Sequence, residues 1–160
     1  MNNIVYIDIL IETLEKKVVL LKKIIDISNF QSDLMDKGED VESAELDRTF
    51  DNKDVLIGHI NSIDNGFEQI FERTKVEISQ NSKQYKTQIQ ELQKLIGEVT
   101  ECSVRIQAIE QRNKVKMERY FATRRNKIKE FNVTNKMATN YYKNMADRHK
   151  GEAYFLDKKK

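Results

Sequence analysis

The side chains most often used for catalysis or metal binding are few in this 160-residue sequence, and they stand far apart. His59 and His149 each lack a second His or Cys three or four residues away, the spacing that a metal site on one helix requires. Cys102 lies between Val99 and Ile106 in an apolar row, which predicts a small buried side chain rather than a reactive thiol. We therefore expect no catalytic residue, no metal ligand, no cofactor and no small-molecule substrate.

The remaining composition indicates a helical, non-enzymatic protein. The sequence has no Gly-rich phosphate loop and no His-Glu-x-x-His motif, and its carboxylates are scattered among lysines, as on solvated helix faces. It contains no Pro and only five Gly, so most of the turn chemistry of an all-β fold is missing. No apolar run reaches the ~18 residues of a membrane span, and the first residues do not resemble a secretion signal. We expect an all-α protein located in the cytoplasm.

Three stretches carry the apolar spacing of long amphipathic helices. In the first, apolar residues alternate four and three positions apart from Ile7 to Ile25 and predict a heptad seam. The second keeps this spacing from Leu46 to Phe71 with two polar interruptions, and the third keeps it from Tyr85 to Ile109. A second apolar row on the first helix favours a bundle of three or more helices over a two-stranded coil.

These helices predict an elongated antiparallel three-helix bundle with up-down-up topology. Gly38 is expected to end the first helix, Asp40 to cap the second, and Ser79–Ser82 to form the second turn. At about 1.5 Å per residue the first two helices are roughly 45–55 Å long, so the third outruns them near Tyr120. The predicted divisions are a bundle (1–118, with helices about 4–37, 41–78 and 83–118), an amphipathic extension (119–150) and a tail (151–160).

The apolar rhythm continues beyond the point where the first two helices end. Its residues are Met117, Phe121, Ile128, Phe131, Ala138, Tyr142 and Met145. An apolar stripe with no helix to cover it predicts a partner-binding site, with fold-back onto the bundle and a dimer seam as alternatives. Near the end of the sequence Tyr154, Phe155 and Leu156 form a short apolar cluster, which is either a frayed terminus or a linear docking element.

The extension is also strongly basic. Residues 1–80 carry a net charge of −8 and residues 81–160 one of +10, and the stretch 114–150 alone has eleven Lys/Arg against three acids. Such a helix could bind phosphates with salt-dependent affinity or lie on an anionic membrane. An acidic protein partner is favoured over both, because the stripe also needs an apolar complement.

Several segments together are similar to the FlgN family of flagellar export chaperones. They are Glu45-Leu-Asp-Arg, the Leu56-to-Phe67 segment with Asp64-x-Gly-Phe67, Ile109-Glu-Gln-Arg-Asn113, Arg125-Asn-Lys-Ile-Lys129, Tyr141-Tyr142 and Phe155-Leu-Asp-Lys-Lys-Lys. The resemblance covers nearly the whole chain. It implies a cytoplasmic, non-enzymatic chaperone with a long antiparallel helical bundle, which holds hook-associated (hook–filament junction) proteins and helps deliver them to the type III export gate.

The resemblance also implies where partners bind. Family members bind terminal helical segments of their substrates through the C-terminal helical portion, which here points to Phe121, Ile128, Phe131, Tyr141, Tyr142 and Met145. The aromatic tail would then contact the export gate. Two alternatives remain open at this point: a structural coiled-coil protein that oligomerises through the same stripe, and a basic-helix protein that binds nucleic acid.

Overall fold

The computed structural model describes residues 3–38, 43–123 and three residues near the end of the chain, 152, 155 and 156. Within these ranges the protein has three long helices and no β-strand: α1 (Asn3–Asp36), α2 (Ser43–Gln80) and α3 (Lys86–Thr123). The predicted all-α class is therefore confirmed. None of the helices in the described ranges has an apolar stretch long enough to cross a bilayer.

Gly38 follows α1 with a φ of +65°, in the left-handed region where a side chain would be strained. The backbone N–H of Lys37 donates to the carbonyl of Leu34 at 3.1 Å, tightening the last turn. This is the arrangement expected of a glycine just past a helix end. Asp40, the predicted cap of the second helix, lies outside the described residues.

The second turn falls slightly later than the sequence predicts. Helix α2 continues through Gln80, the turn spans 81–85, and α3 begins at Lys86 rather than near Lys83. The reason is Asn81, whose backbone N–H and side-chain Nδ2 both donate to the Glu77 carbonyl at 3.0 and 3.1 Å. These bonds keep the preceding residues helical. The polar run 79–82 therefore contains the last two residues of α2 and the first two of the turn. At its other end α3 extends beyond the predicted limit of 118, to Thr123.

Helix α1 packs against both other helices. Side-chain contacts show the relative direction of α1 and α2. Gln31, late in α1, contacts Thr49, early in α2, at 2.8 Å, whereas Lys17, earlier in α1, contacts Asp64, later in α2, at 2.8 Å. This is the order of an antiparallel pair.

The bonds between α1 and α3 run in the same chain order. The side chain of Asn113 donates to the carbonyl of Ser28 at 2.8 Å, and the Lys116 ammonium donates to Ser32 and pairs with Asp36. Helices α1 and α3 therefore run parallel, while close approaches between α2 and α3 are few.

Two apolar clusters form the core. The larger follows the heptad seams through the bundle, with Ile7, Leu14, Leu21, Ile60, Leu92 and Ile106 among its buried members. The smaller lies where α1 ends and α2 begins, and its buried residues are Leu34, Met35, Leu46, Met117, Tyr120 and Phe121. The main seam thus ends in a separate apolar cluster, which packs the last described turns of α3.

Candidate functional site: the groove that holds Glu152 and Phe155

The structure describes two of the predicted partner-binding residues, Met117 and Phe121. Met117 and Phe121 are buried in the smaller cluster, where α1 and α2 cover them, so these two do not belong to an uncovered stripe. The sequence predicts that α3 outruns the other two helices near Tyr120. In the structure Phe121, the next residue, still packs with Leu34 and Leu46 in the smaller cluster. The other members lie outside the described residues: Ile128, Phe131, Ala138, Tyr141, Tyr142 and Met145.

The tail residues also differ among themselves. Phe155 is fully buried in the main core, Leu156 keeps 38% of its surface exposed, and Tyr154 lies outside the described residues. In this structure Phe155 therefore serves as a core residue of the bundle.

Phe155 sits against aromatic rings of α2. It meets Phe71 edge to face, with ring centroids 5.5 Å apart, and Phe67 in the same way at 6.4 Å. Edge-to-face aromatic pairs each add about 0.5–1.5 kcal/mol of stability beyond that of the buried area. On the other side, the Gln93 side chain of α3 donates through Nε2 to the backbone carbonyl of Phe155 at 3.0 Å. Phe155 thus joins α2 to α3 on the side where these helices approach each other little.

The position of Phe155 along the bundle is informative. Gln93 precedes Thr123, the last described residue of α3, by thirty residues, which is roughly 45 Å along a helix. Phe155 therefore packs near the beginning of α3, far along the bundle from the last described turn of that helix. We call the surface formed by Lys17, Asp64, Phe67, Phe71 and Gln93 the C-terminal groove.

A buried lysine completes the C-terminal groove. Lys17 has no exposed surface, and its ammonium contacts Asp64 of α2 at 2.8 Å and Glu152 at 3.1 Å. Two carboxylates thus face one cation in a region screened from water. Burial raises the pKa of Glu152, and the Lys17 charge opposes this rise only in part. Glu152 and Phe155 have helical conformation and stand three residues apart, so they share one face of a helical turn.

A second buried lysine lies toward the other end of the bundle. Lys53 of α2 pairs with Glu110 of α3 and donates to Gln31 of α1 at 3.0 Å. Glu110 also accepts a bond of 2.7 Å from the Ser28 hydroxyl, and Gln31 donates to Thr49. Burial lowers the pKa of Lys53, with the Glu110 charge opposing the shift. This cluster links all three helices at one level.

Sequence reasoning missed both lysines, although the pattern contained a signal. Lys17 stands seven residues after Leu10 and seven before Ile24, and Lys53 stands likewise between Leu46 and Ile60, so both occupy apolar heptad rows. Lys53 and Asp64 are the two polar interruptions of the second helix. A charge in a core row requires a buried partner, which a single sequence does not identify.

Cys102 and His59, the described residues considered above for catalysis or metal binding, lie in different surroundings. Cys102 is buried, as predicted, and burial raises the pKa of its thiol, which disfavours the reactive thiolate. His59 is exposed beside a shallow groove of about 570 Å³ between α1 and α2, lined also by Glu12 and Val19. No group of three potential metal ligands occurs among the described residues.

Comparisons with protein-family models, with curated proteins and with solved structures gave no match to this chain.

Proposed function

We propose that this protein binds helical segments of other proteins, and that it acts as a cytoplasmic export chaperone of the FlgN type. In this role it holds hook-associated flagellar proteins and delivers them to the export gate. The observation that carries the proposal is the C-terminal groove, in which the bundle holds a helical turn by an aromatic ring and a charge. Recognition of amphipathic helical segments commonly combines such apolar anchors with charged flanks.

Two further features support a binding protein. The buried ammonium and carboxylate groups of the described core pair with one another, as Lys53 does with Glu110 and Lys17 with Asp64, so they stabilise a scaffold. The stretch 114–150 has a net charge of +8 and an apolar stripe, which together suit a partner helix with acidic flanks. Charge complementarity of this kind raises the association rate, while the apolar residues supply affinity.

In this proposal the aromatic tail either packs in the C-terminal groove or contacts the export gate, and it cannot do both at once. Docking of Phe155 to the export gate requires its release from the C-terminal groove, because its ring is buried there. The tail is therefore available to the gate only after the intramolecular contact opens.

Calorimetric titration of the full chain against purified hook-associated proteins tests the proposal. Phe131→Ala combined with Tyr142→Ala should weaken binding at least tenfold, or about 1.4 kcal/mol, because both rings belong to the proposed stripe. The matched control is Val104→Ala, which trims an apolar side chain of α3 that is 60% exposed and should leave affinity unchanged.

Three outcomes would contradict the proposal. One is no binding by the full chain at a few hundred millimolar salt. Another is a tight dimer that buries the stripe, which would favour a structural coiled coil. The third is affinity for duplex DNA that falls steeply with log salt while hook-associated proteins do not bind, which would favour a nucleic-acid role.

A further inference from the structure

The contact between the C-terminal groove and residues 152–156 has the composition of a peptide–groove complex. One carboxylate reaches a buried ammonium, one ring enters an aromatic pocket, and one backbone carbonyl accepts a bond from a side chain of the groove. Glu152 lies 135 positions from Lys17 in the chain, so the contact is long-range. The loop-closure entropy of a contact between positions so far apart opposes it.

The groove side chains also have contacts within the three helices. Lys17 pairs with Asp64, a carboxylate supplied by α2, at 2.8 Å. Phe67 and Phe71 are four residues apart on α2 and are neighbours on one helix face. These contacts do not involve Glu152 or Phe155, so we expect them to persist when those two residues leave.

Release of Glu152 and Phe155 from the C-terminal groove has both favourable and unfavourable free-energy terms. Glu152 regains hydration, and repulsion between its charge and that of Asp64 is relieved. Against this, Phe155 loses its burial and its two aromatic contacts. A competing segment of the same chemistry makes the same contacts and can therefore displace it.

We propose that the C-terminal groove is a binding site for helical segments of partner proteins that carry a carboxylate three residues before a phenylalanine. Glu152 and Phe155 occupy the site intramolecularly until such a segment displaces them. This inference rests on the proposed binding of helical segments and names the partner class of the C-terminal groove; it does not depend on the flagellar role or on the 117–145 stripe.

Charge and size both limit the occupant. A segment with lysine in place of the carboxylate would bring its cation against Lys17, which is disfavoured at this depth. The pocket between Phe67 and Phe71 and the Gln93 amide accepts one aromatic ring with its backbone carbonyl. The partner is thus an acidic–aromatic helical turn.

The test uses full-length variants and a fluorescent peptide with the sequence of residues 148–160, Arg-His-Lys-Gly-Glu-Ala-Tyr-Phe-Leu-Asp-Lys-Lys-Lys. Phe155→Ala should open the groove and bind the peptide at least tenfold more tightly than the wild-type chain, whose own segment competes. Leu156→Ala is the matched control, because Leu156 is partly exposed and adjacent in sequence, and it should bind as weakly as wild type. Peptides with Phe→Ala or Glu→Lys at the two contact positions should lose binding to the opened chain.

Glu152→Lys provides a second variant, which retains the ring but places a cation against Lys17, and it should also bind the peptide more tightly than wild type. The proposal is overturned if both variants, shown to be helical and cooperatively folded, bind the peptide no better than wild type. Equal binding of the altered peptides would also overturn it. Light scattering that shows dimers of the variants, with no bound peptide, would assign the groove to a second copy instead.

Discussion

The bundle contains two buried lysines whose surroundings differ in one respect. Lys53 has its partners, Gln31 and Glu110, on α1 and α3, so its charge is satisfied within the three helices. Among the described residues, Lys17 pairs with Asp64 of α2 and with Glu152, which lies 135 positions later in the chain. The same chemistry therefore stabilises the bundle in one place and attaches a distant segment to it in the other.

This difference shows how a buried charge can have separate consequences. Breaking the Lys53 cluster disturbs contacts between helices that exist only when all three are packed. Opening the Lys17 contact on the Glu152 side leaves those helices in place. The predictions that follow compare the two regions, beginning with the largest expected effect.

Glu110→Ala should lower the free energy of unfolding by about 3–5 kcal/mol, the range for breaking a buried ion pair and leaving one charge unpaired. Lys53 and Glu110 are 11% and 12% exposed, so solvent screens the pair little. Urea denaturation monitored by circular dichroism measures the loss. The double variant Lys53→Met/Glu110→Leu is the control and should lose less stability, because neither charge of this pair remains. A loss below about 1 kcal/mol in Glu110→Ala would contradict the structural role given to the Lys53 cluster.

Phe155→Ala should lower the free energy of unfolding by about 1–3 kcal/mol, less than the 3–5 kcal/mol of an ordinary buried phenylalanine, because the segment can detach without unfolding the bundle. Thermal and urea denaturation of the full chain measure this loss. Leu156→Ala should stay within about 0.5 kcal/mol of wild type. A loss in Phe155→Ala as large as that in Glu110→Ala would mean that the segment is an integral part of the fold.

Acidification should strengthen the Glu152 contact. The pKa of Glu152 is raised above its ordinary value of 4.5, so the folded protein binds its proton at a higher pH than the unfolded chain does. Stability contributed by this group therefore increases as the pH falls through the raised pKa toward 4.5, with a slope of at most about 1.4 kcal/mol per pH unit. Among the described residues, Lys17 of α1 pairs with Glu152, and Asp64 of α2 pairs with the same ammonium.

The comparison that isolates this proton is between wild type and Glu152→Gln, each unfolded in urea at several values from pH 7 to pH 5. The difference in free energy of unfolding should move in favour of wild type as the pH falls. A difference that is constant, or that moves in favour of Glu152→Gln, would contradict the assigned cause.

Lys116→Ala should have the smallest effect, about 0.2–1 kcal/mol, as expected for an exposed ion pair. Its partner Asp36 is 60% exposed, although the pair is only 2.7 Å long. Denaturation at low and at high salt measures the effect, which should shrink as salt rises. A loss above about 2 kcal/mol would show that contacts near the end of the bundle matter as much as the buried pairs.

Much of the helical framework could be predicted from the sequence, because it depends on local patterns. The heptad spacing identified three helices, and Gly38 marked the end of the first by its position after the apolar seam. The second turn was placed too early because Asn81, a residue typical of turns, here extends α2 through its bonds to Glu77.

The candidate site could not be predicted in the same way. The heptad spacing places Lys17 in an apolar row, unlike the neighbouring Lys16, which is exposed and pairs with Glu12. That spacing does not identify Glu152 as the partner of Lys17. The position of Phe155 depends on Phe67, Phe71 and Gln93, which no spacing rule connects to it. Contacts between positions so far apart follow from how the whole chain packs.

Native-state hydrogen exchange of the full chain, followed by mass spectrometry at increasing urea concentrations below the unfolding transition, tests the central claim most directly. If the Glu152–Phe155 contact opens independently, amides of residues 152–156 should exchange with a small opening free energy that is nearly independent of urea. Amides around Glu110 in α3 should instead exchange with an opening free energy that falls with urea as global unfolding does. Exchange of both regions with the same opening free energy and the same urea dependence would contradict the account.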